Sequence, residues 1–223
     1  MVDIFFPKKC IICEKTIIPK NFPSWICKNC YQSIEFIDII ECNRCGSPFA
    51  DRCLCNLLDD KITQVRSLFI YDNVGKELIH KWKYSGFYFI KDIFKKFLIK
   101  KHFFKKYDGV IAVPVFWIKK ILRGFNQAFE ISKIISDNFK IKNYSSHISR
   151  KIYSKPQMKI GDYNLRKENV KGVFKILKPI YCENLLIVDD IITSCATVNE
   201  MSKTIIESGF KGNIEIFTLG LAL

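Results

Sequence analysis

A chain of 223 residues, 48% of them hydrophobic, can bury a real core as one large domain or as a small domain beside a medium one. It has no uninterrupted run of 18 or more apolar residues, which excludes an ordinary membrane-spanning helix. The net charge of +14 is uneven: residues 1–60 hold 7 basic and 8 acidic side chains, and residues 61–223 hold 29 and 14. Such a surplus attracts phosphate on a small molecule or on nucleic acid, although heavy use of Lys, Ile, Phe and Asn along the whole chain also feeds it.

The opening MVDIFFPKKC lacks the basic start and apolar centre of an export signal, so a cytoplasmic location is expected. Eight of the ten cysteines then fall between positions 10 and 55, as Cys10-x-x-Cys13, Cys27-x-x-Cys30, Cys42-x-x-Cys45 and Cys53-x-Cys55. Each pair offers two thiolates on one tight knuckle, and two knuckles complete a tetrahedral zinc site with bonds of about 2.3 Å. Spacing leaves open which knuckles share a metal, and whether one or two ions bind. A reducing compartment disfavours disulfides. A segment this small has little core of its own, so structural zinc is expected to supply much of its stability. The acidic pair in LLDDKIT marks the expected boundary: residues 1–60 as a Cys-rich zinc ribbon, 61–223 as a second domain.

Beyond the boundary, strand and helix patterns alternate. Residues 65–71 read as a strand, and 75–83 as a helix with Leu78, Ile79 and Trp82 on one face. A helix is expected over 90–104. Its lysines Lys95, Lys96, Lys100, Lys101, Lys105 and Lys106 read better as a solvated face above a core stripe than as a DNA or membrane surface. A buried strand, 109–113, stops at Pro114, and a helix follows over 126–139. After a polar loop at 154–171 come strands at 173–176 and 185–188. A helix over 197–208 ends at Gly209, and a last strand covers 213–219. Apolar strands alternating with helices predict an α/β fold, a parallel sheet covered on both faces.

The segment LLIVDDIITSCATV, 185–198, concentrates the chemistry. Carboxylates are costly to bury, but at the carboxyl end of a parallel strand Asp189 and Asp190 would stand in a ligand crevice. The turn Thr193, Ser194, Cys195, Ala196 and Thr197 runs straight into a helix, whose first N–H groups favour an anion. Carboxylates for sugar hydroxyls or Mg²⁺ beside a phosphate cradle suit a ribose 5-phosphate carrying a metal-bound pyrophosphate. His80, His102 and His147 fall in no metal or triad spacing.

That pattern resembles the phosphoribosyl pyrophosphate (PRPP) signature of type I phosphoribosyltransferases. Over nearly its whole length the chain is similar to the ComF family of competence proteins. The resemblance rests on the Cys-rich start, on Arg123-Gly124-Phe125-Asn126-Gln127, and on Pro156, Gln157, Arg166, Asn169 and Val170. It implies a phosphoribosyltransferase-like domain after the zinc ribbon and a role in natural transformation. The implied ligands are PRPP with Mg²⁺ and single-stranded DNA, and the implied partners are a ComF-type helicase and DNA-processing proteins. The alternative is a working phosphoribosyltransferase acting on an unidentified base or amine. In that case Asp189 and Asp190 hold the ribose hydroxyls, residues 193–197 take the 5-phosphate, and Lys81, Lys83 and Arg123 are candidate contacts to pyrophosphate or DNA. The sequence departs from the signature at Cys195, where the family usually has Gly. Either the side chain narrows the cradle, or the turn keeps a negative φ.

Overall fold

The computed structural model describes residues 8–17, 25–116, 121, 124–151 and 170–223. Arg123, Pro156, Gln157, Arg166, Asn169 and most of the expected polar loop lie outside them. Helix α1 (Lys28–Gln32) belongs to the cysteine-rich segment. It is followed by β1 (Ile62–Ile70), α2 (Asn73–Tyr84), α3 (Ile90–Leu98), β2 (Gly109–Ala112) and α4 (Gln127–Phe139). Then come β3 (Lys142–Asn143), β4 (Ile148–Arg150), β5 (Phe174–Ile176), β6 (Asn184–Ile192), α5 (Ala196–Glu207) and β7 (Asn213–Leu221). The main sheet has the order β1-β7-β6-β2-β3, and every pairing in it is parallel.

Alternation along the strands divides the core into two layers. On one face Val110, Leu186, Val188, Phe217 and Leu219 pack with Leu78, Trp82, Phe94 and Ile131, from α2, α3 and α4. On the other, Ile111, Leu185, Ile187, Ile214 and Ile216 pack with Val198, Met201 and Ile205, from α5. The cysteine-rich segment contributes to both layers, Cys10, Ile26, Cys30 and Ile34 to the first and Cys45, Leu54 and Leu58 to the second. Between its two halves it runs along the outer edge of β1. There Ile37 N–H donates to Leu68 C=O (3.0 Å), Ile70 N–H to Glu35 C=O (2.9 Å) and Val65 N–H to Arg44 C=O (2.7 Å). An open sheet edge is thereby closed.

Three elements differ from the sequence expectation. The helix expected over 90–104 ends at Leu98 and restarts as a 3₁₀ turn, His102–Lys106. Continued helical spacing from Phe94 and Phe97 would have carried Lys101 into the buried stripe. Instead Lys101 pairs with Asp38 at 2.9 Å, and Phe104 turns inward onto Phe139 and Phe217. The strand expected at 173–176 forms Phe174–Ile176, but it pairs antiparallel with β4 in a separate two-stranded sheet. β6 also runs past Val188 to Ile192, so both aspartates lie within the strand rather than after it.

Candidate functional site

The structure groups the eight cysteines by consecutive knuckles: Cys10, Cys13, Cys27 and Cys30 in one set, Cys42, Cys45, Cys53 and Cys55 in the other, with the ligand atoms of each set within 4.8 Å of one another. A tetrahedral zinc with bonds of about 2.3 Å sets its sulfurs about 3.8 Å apart. Cys13 and Cys27 Sγ are 3.7 Å apart, Cys42 and Cys55 3.4 Å, and Cys45 and Cys53 3.5 Å. Cys27 N–H donates to Cys10 Sγ at 3.4 Å, and Cys30 N–H to Cys27 Sγ at 3.5 Å. The backbone N–H of Cys45 leads in drawing the Cys42 thiol down to about 6. Burial raises the Cys10 thiol, but the N–H groups of Cys13, Cys27 and Ile12 outweigh it and leave it at about 7. Burial pushes the Cys30 and Cys55 thiols up, with neighbouring thiols adding to the effect. Each set has the donor number and the spacing that structural zinc requires, and one thiol in each, Cys10 and Cys42, is already drawn toward the thiolate form that binds metal.

The acidic pair stands on β6, the central strand. From β2 the chain moves outward to β3 on one side, and from β6 to β7 on the other, so the strand order reverses between β2 and β6. Crevices open at the carboxyl ends of strands where this happens. Val113 N–H donates to Val188 C=O at 2.8 Å, and Asn126 clamps the end of β2. The Asn126 Nδ2 donates to Val113 C=O (3.1 Å) while its Oδ1 caps α4 at Ala128 N–H (3.0 Å).

At this edge Lys83 Nζ lies 2.6 Å from Asp190 Oδ2, both side chains mostly buried. Asp190 N–H donates to Asp189 Oδ1 at 2.8 Å. Burial, helped by the Asp190 charge, pushes the Asp189 carboxyl up to about 8, although the Asp190 N–H, Lys83 and Arg150 pull the other way. Arg150, on β4, comes close enough to feel the Asp189 charge, while burial lowers its guanidinium from the usual arginine range. No motif pointed to Arg150, because its three-residue strand is too short for a periodic signal. Of the predicted cations, Lys83 joins the pair. Lys81 instead faces Glu77 on its own helix at 3.7 Å, and Arg123 lies outside the described residues.

Thr193, Ser194, Cys195, Ala196 and Thr197 line a cleft of about 30 Å³ together with Asp189 and Ile191. Cys195 is the N-cap residue of α5 with φ 57° and ψ −8°, and its side chain makes no capping bond. The turn therefore keeps the left-handed conformation natural to Gly and carries a side chain in it, the narrowing alternative. The thiol is buried, and burial, then the Cys45 charge, push it up to about 12. Burial thus favours the neutral thiol over the thiolate. Cys45, of the second cysteine set, shares the core layer of Cys195 and Ala196. Asn199, in the first turns of α5, donates from Nδ2 to Leu57 C=O (2.6 Å) and accepts from Asp59 N–H at Oδ1 (3.1 Å). Arg44 closes the same corner through Leu58 and Asp59 C=O.

Residues 1–58 match the family model of the double zinc ribbon domain. The chain is similar to competence protein F of Haemophilus influenzae, with 26% identity over 234 residues covering 98% of each chain. It is 25% identical to competence protein ComFC of Streptococcus pneumoniae, over 95% of this chain and 99% of the relative. DNA utilization protein YhgH of Escherichia coli K12 is 24% identical over 91% and 92%. No helix among the described residues is long and apolar enough to cross a membrane.

Proposed function

Because the chain is ComFC-like, with a double zinc ribbon joined to a parallel α/β sheet, we propose that it acts in DNA uptake and processing, binding PRPP with Mg²⁺ at the β6 crevice and single-stranded DNA on its basic surface. The competence and DNA-utilization relatives support the general role. One observation carries the ligand: Asp189 and Asp190 reach the carboxyl edge of β6 where strand order reverses, and the turn that follows opens a helix.

In this reading the aspartates hold the ribose hydroxyls. The N–H groups opening α5, which no intrahelical bond can satisfy, take the 5-phosphate at the mouth of the narrow cleft. Lys83 and Arg150 balance the charge of the pyrophosphate, and Arg123 remains a candidate for the same task. Hard carboxylate oxygens suit Mg²⁺, which when bound neutralises pyrophosphate oxygens. Residues 1–60 act as the ribbon unit and 61–223 as the ligand-binding unit.

Calorimetric titration of PRPP, with and without Mg²⁺, into the protein and into its Asp189→Ala/Asp190→Ala variant tests the site. Binding by the wild type alone supports it, and equal binding by both refutes it. If the protein is instead a working transferase, PRPP, Mg²⁺ and a panel of base and amine acceptors will release pyrophosphate.

A further inference from the structure

We propose that Tyr84, Phe87 and Tyr88 form a base-stacking shelf for single-stranded nucleic acid at the rim of the Asp189–Asp190 crevice, an inference that rests on the DNA-binding part of the reading above. These three large rings fall within five residues, and each faces water, with exposures of 60%, 39% and 42%. Apolar rings crowded into so short an exposed segment signal a binding surface more than scattered surface hydrophobics do.

The segment begins one residue after Lys83, whose ammonium sits on Asp190, so the shelf and the crevice share a border. Gly86, at φ 68° with open space around it, turns the chain, and Tyr88 N–H closes the turn on Gly86 C=O at 2.8 Å. The rings are held from behind. Tyr88 meets Phe125 edge-on at 5.2 Å, Phe125 lies 5.6 Å from the buried Trp82, and Phe87 rests on Phe89 at 5.4 Å. A ring already fixed by such packing loses little conformational freedom when a ligand covers its outer face.

Charge selects the occupant. Lys91 Nζ stands 4.0 Å from the Tyr88 ring centroid, and Lys95, Lys96 and Lys100 are exposed along and just beyond α3. With Trp82 buried and Lys83 held on Asp190, the surface alternation is of the rings Tyr84, Phe87 and Tyr88 with Lys91 and the lysines of α3 beyond it. A flexible polyanion with flat apolar faces matches that alternation, because unpaired bases stack on aromatic rings while phosphates meet lysines. A duplex hides those faces and cannot use the shelf.

Fluorescence anisotropy with a labelled oligothymidylate, compared with a duplex of the same length, tests the inference on the full-length protein and on a Tyr84→Ala/Phe87→Ala/Tyr88→Ala variant. Three lost stacking contacts predict that the variant binds the single strand roughly 150-fold more weakly. Its duplex binding and its PRPP–Mg²⁺ titration should stay at the wild-type values, while its melting temperature falls modestly because Phe87 and Tyr88 give up their packing on Phe89 and Phe125. Because no phosphate contact is removed, the salt dependence of the residual single-strand binding should also stay the same, whereas Lys91→Gln should lower that slope by about one phosphate's worth. Equal affinity of the triple variant and the wild type for the single strand would overturn the shelf and mark the patch as a protein-docking face. A wild type that does not bind single strands at low salt would refute the DNA-binding reading itself, and the shelf with it.

Discussion

The first cysteine set packs with α2, α3 and α4 on one face of the sheet, and the second packs against α5 on the other. The two sets share a ligand chemistry, but their neighbours differ. Around the first, Trp25, Tyr31 and Phe36 meet Phe89, Phe97 and Phe69, so this half of the ribbon extends an aromatic core that reaches Phe89, behind the ring of Phe87. Around the second, Cys45, Leu54 and Leu58 share a core layer with Cys195, Ala196 and Val198, and Asn199 ties the helix that follows the turn to the ribbon backbone. The same kind of metal knuckle therefore backs an aromatic cluster in one place and, in the other, the helix that opens the candidate ligand site.

Removing one ligand from each set should separate these roles and give the largest effects. Cys30→Ser and Cys45→Ser should each lower the zinc content from two ions to one and cost several kcal/mol, bounded above by the roughly 10–16 kcal/mol of structural zinc in free fingers. Only Cys45→Ser should also abolish PRPP–Mg²⁺ binding and speed amide exchange at residues 193–198, as mass spectrometry would read. Equal effects on the turn from both variants would erase the distinction.

The crevice itself can be broken from the other side of the sheet. Lys83→Met leaves the mostly buried Asp190 carboxylate without its partner and should cost about 3–5 kcal/mol in denaturant unfolding. Lys81→Met, which loses only a contact along its own helix, should cost about 0.3–0.5 kcal/mol. The Asp189 carboxyl adds a pH signature. It titrates at about 8 in the folded protein and at about 3.9 in an unfolded chain. Between those values the folded state holds a proton that the unfolded state has released. The group's contribution to stability therefore falls as pH rises from about 4 to about 8, and levels off above that. Asp189→Asn should flatten this slope.

These contrasts also show which features can be read from sequence. The cysteine knuckles were legible because metal spacing is local, and the acidic pair was legible because an apolar strand ran up to it. Pairing of the knuckles was not, since chain order permits several combinations. The extension of β6 to Ile192 was hidden because its reason lies in β7, where Ile191 and Ile192 pair with Gly220 and Leu221. The Lys83–Asp190 contact joins residues more than a hundred positions apart, and only the sheet order brings them together. Asn199 carries no motif at all, because it acts by bonding two backbone groups of another segment.

Asn199→Ala sharpens the comparison at smaller cost. It removes two hydrogen bonds and leaves the Leu57 C=O and Asp59 N–H without those partners, which should cost about 1–3 kcal/mol. If the ribbon shapes the turn, PRPP affinity should fall while both zinc ions stay bound. Unchanged affinity would show that packing alone holds the turn.

The smallest expected effect is at Cys195. Its left-handed backbone costs a non-Gly residue about 1–2 kcal/mol, which Cys195→Gly would recover. Against that stand about 0.5–1 kcal/mol for the freedom Gly gains when unfolded and about 0.8 kcal/mol for a buried methylene-sized contact. These nearly cancel, so the melting temperature should hardly move, while loss of the side chain widens the cleft and should raise affinity for PRPP. A large loss of stability would carry a different meaning. The thiol packed toward Cys45 would then be the support of the turn, and the strained conformation would be maintained by the second cysteine set rather than merely tolerated beside it.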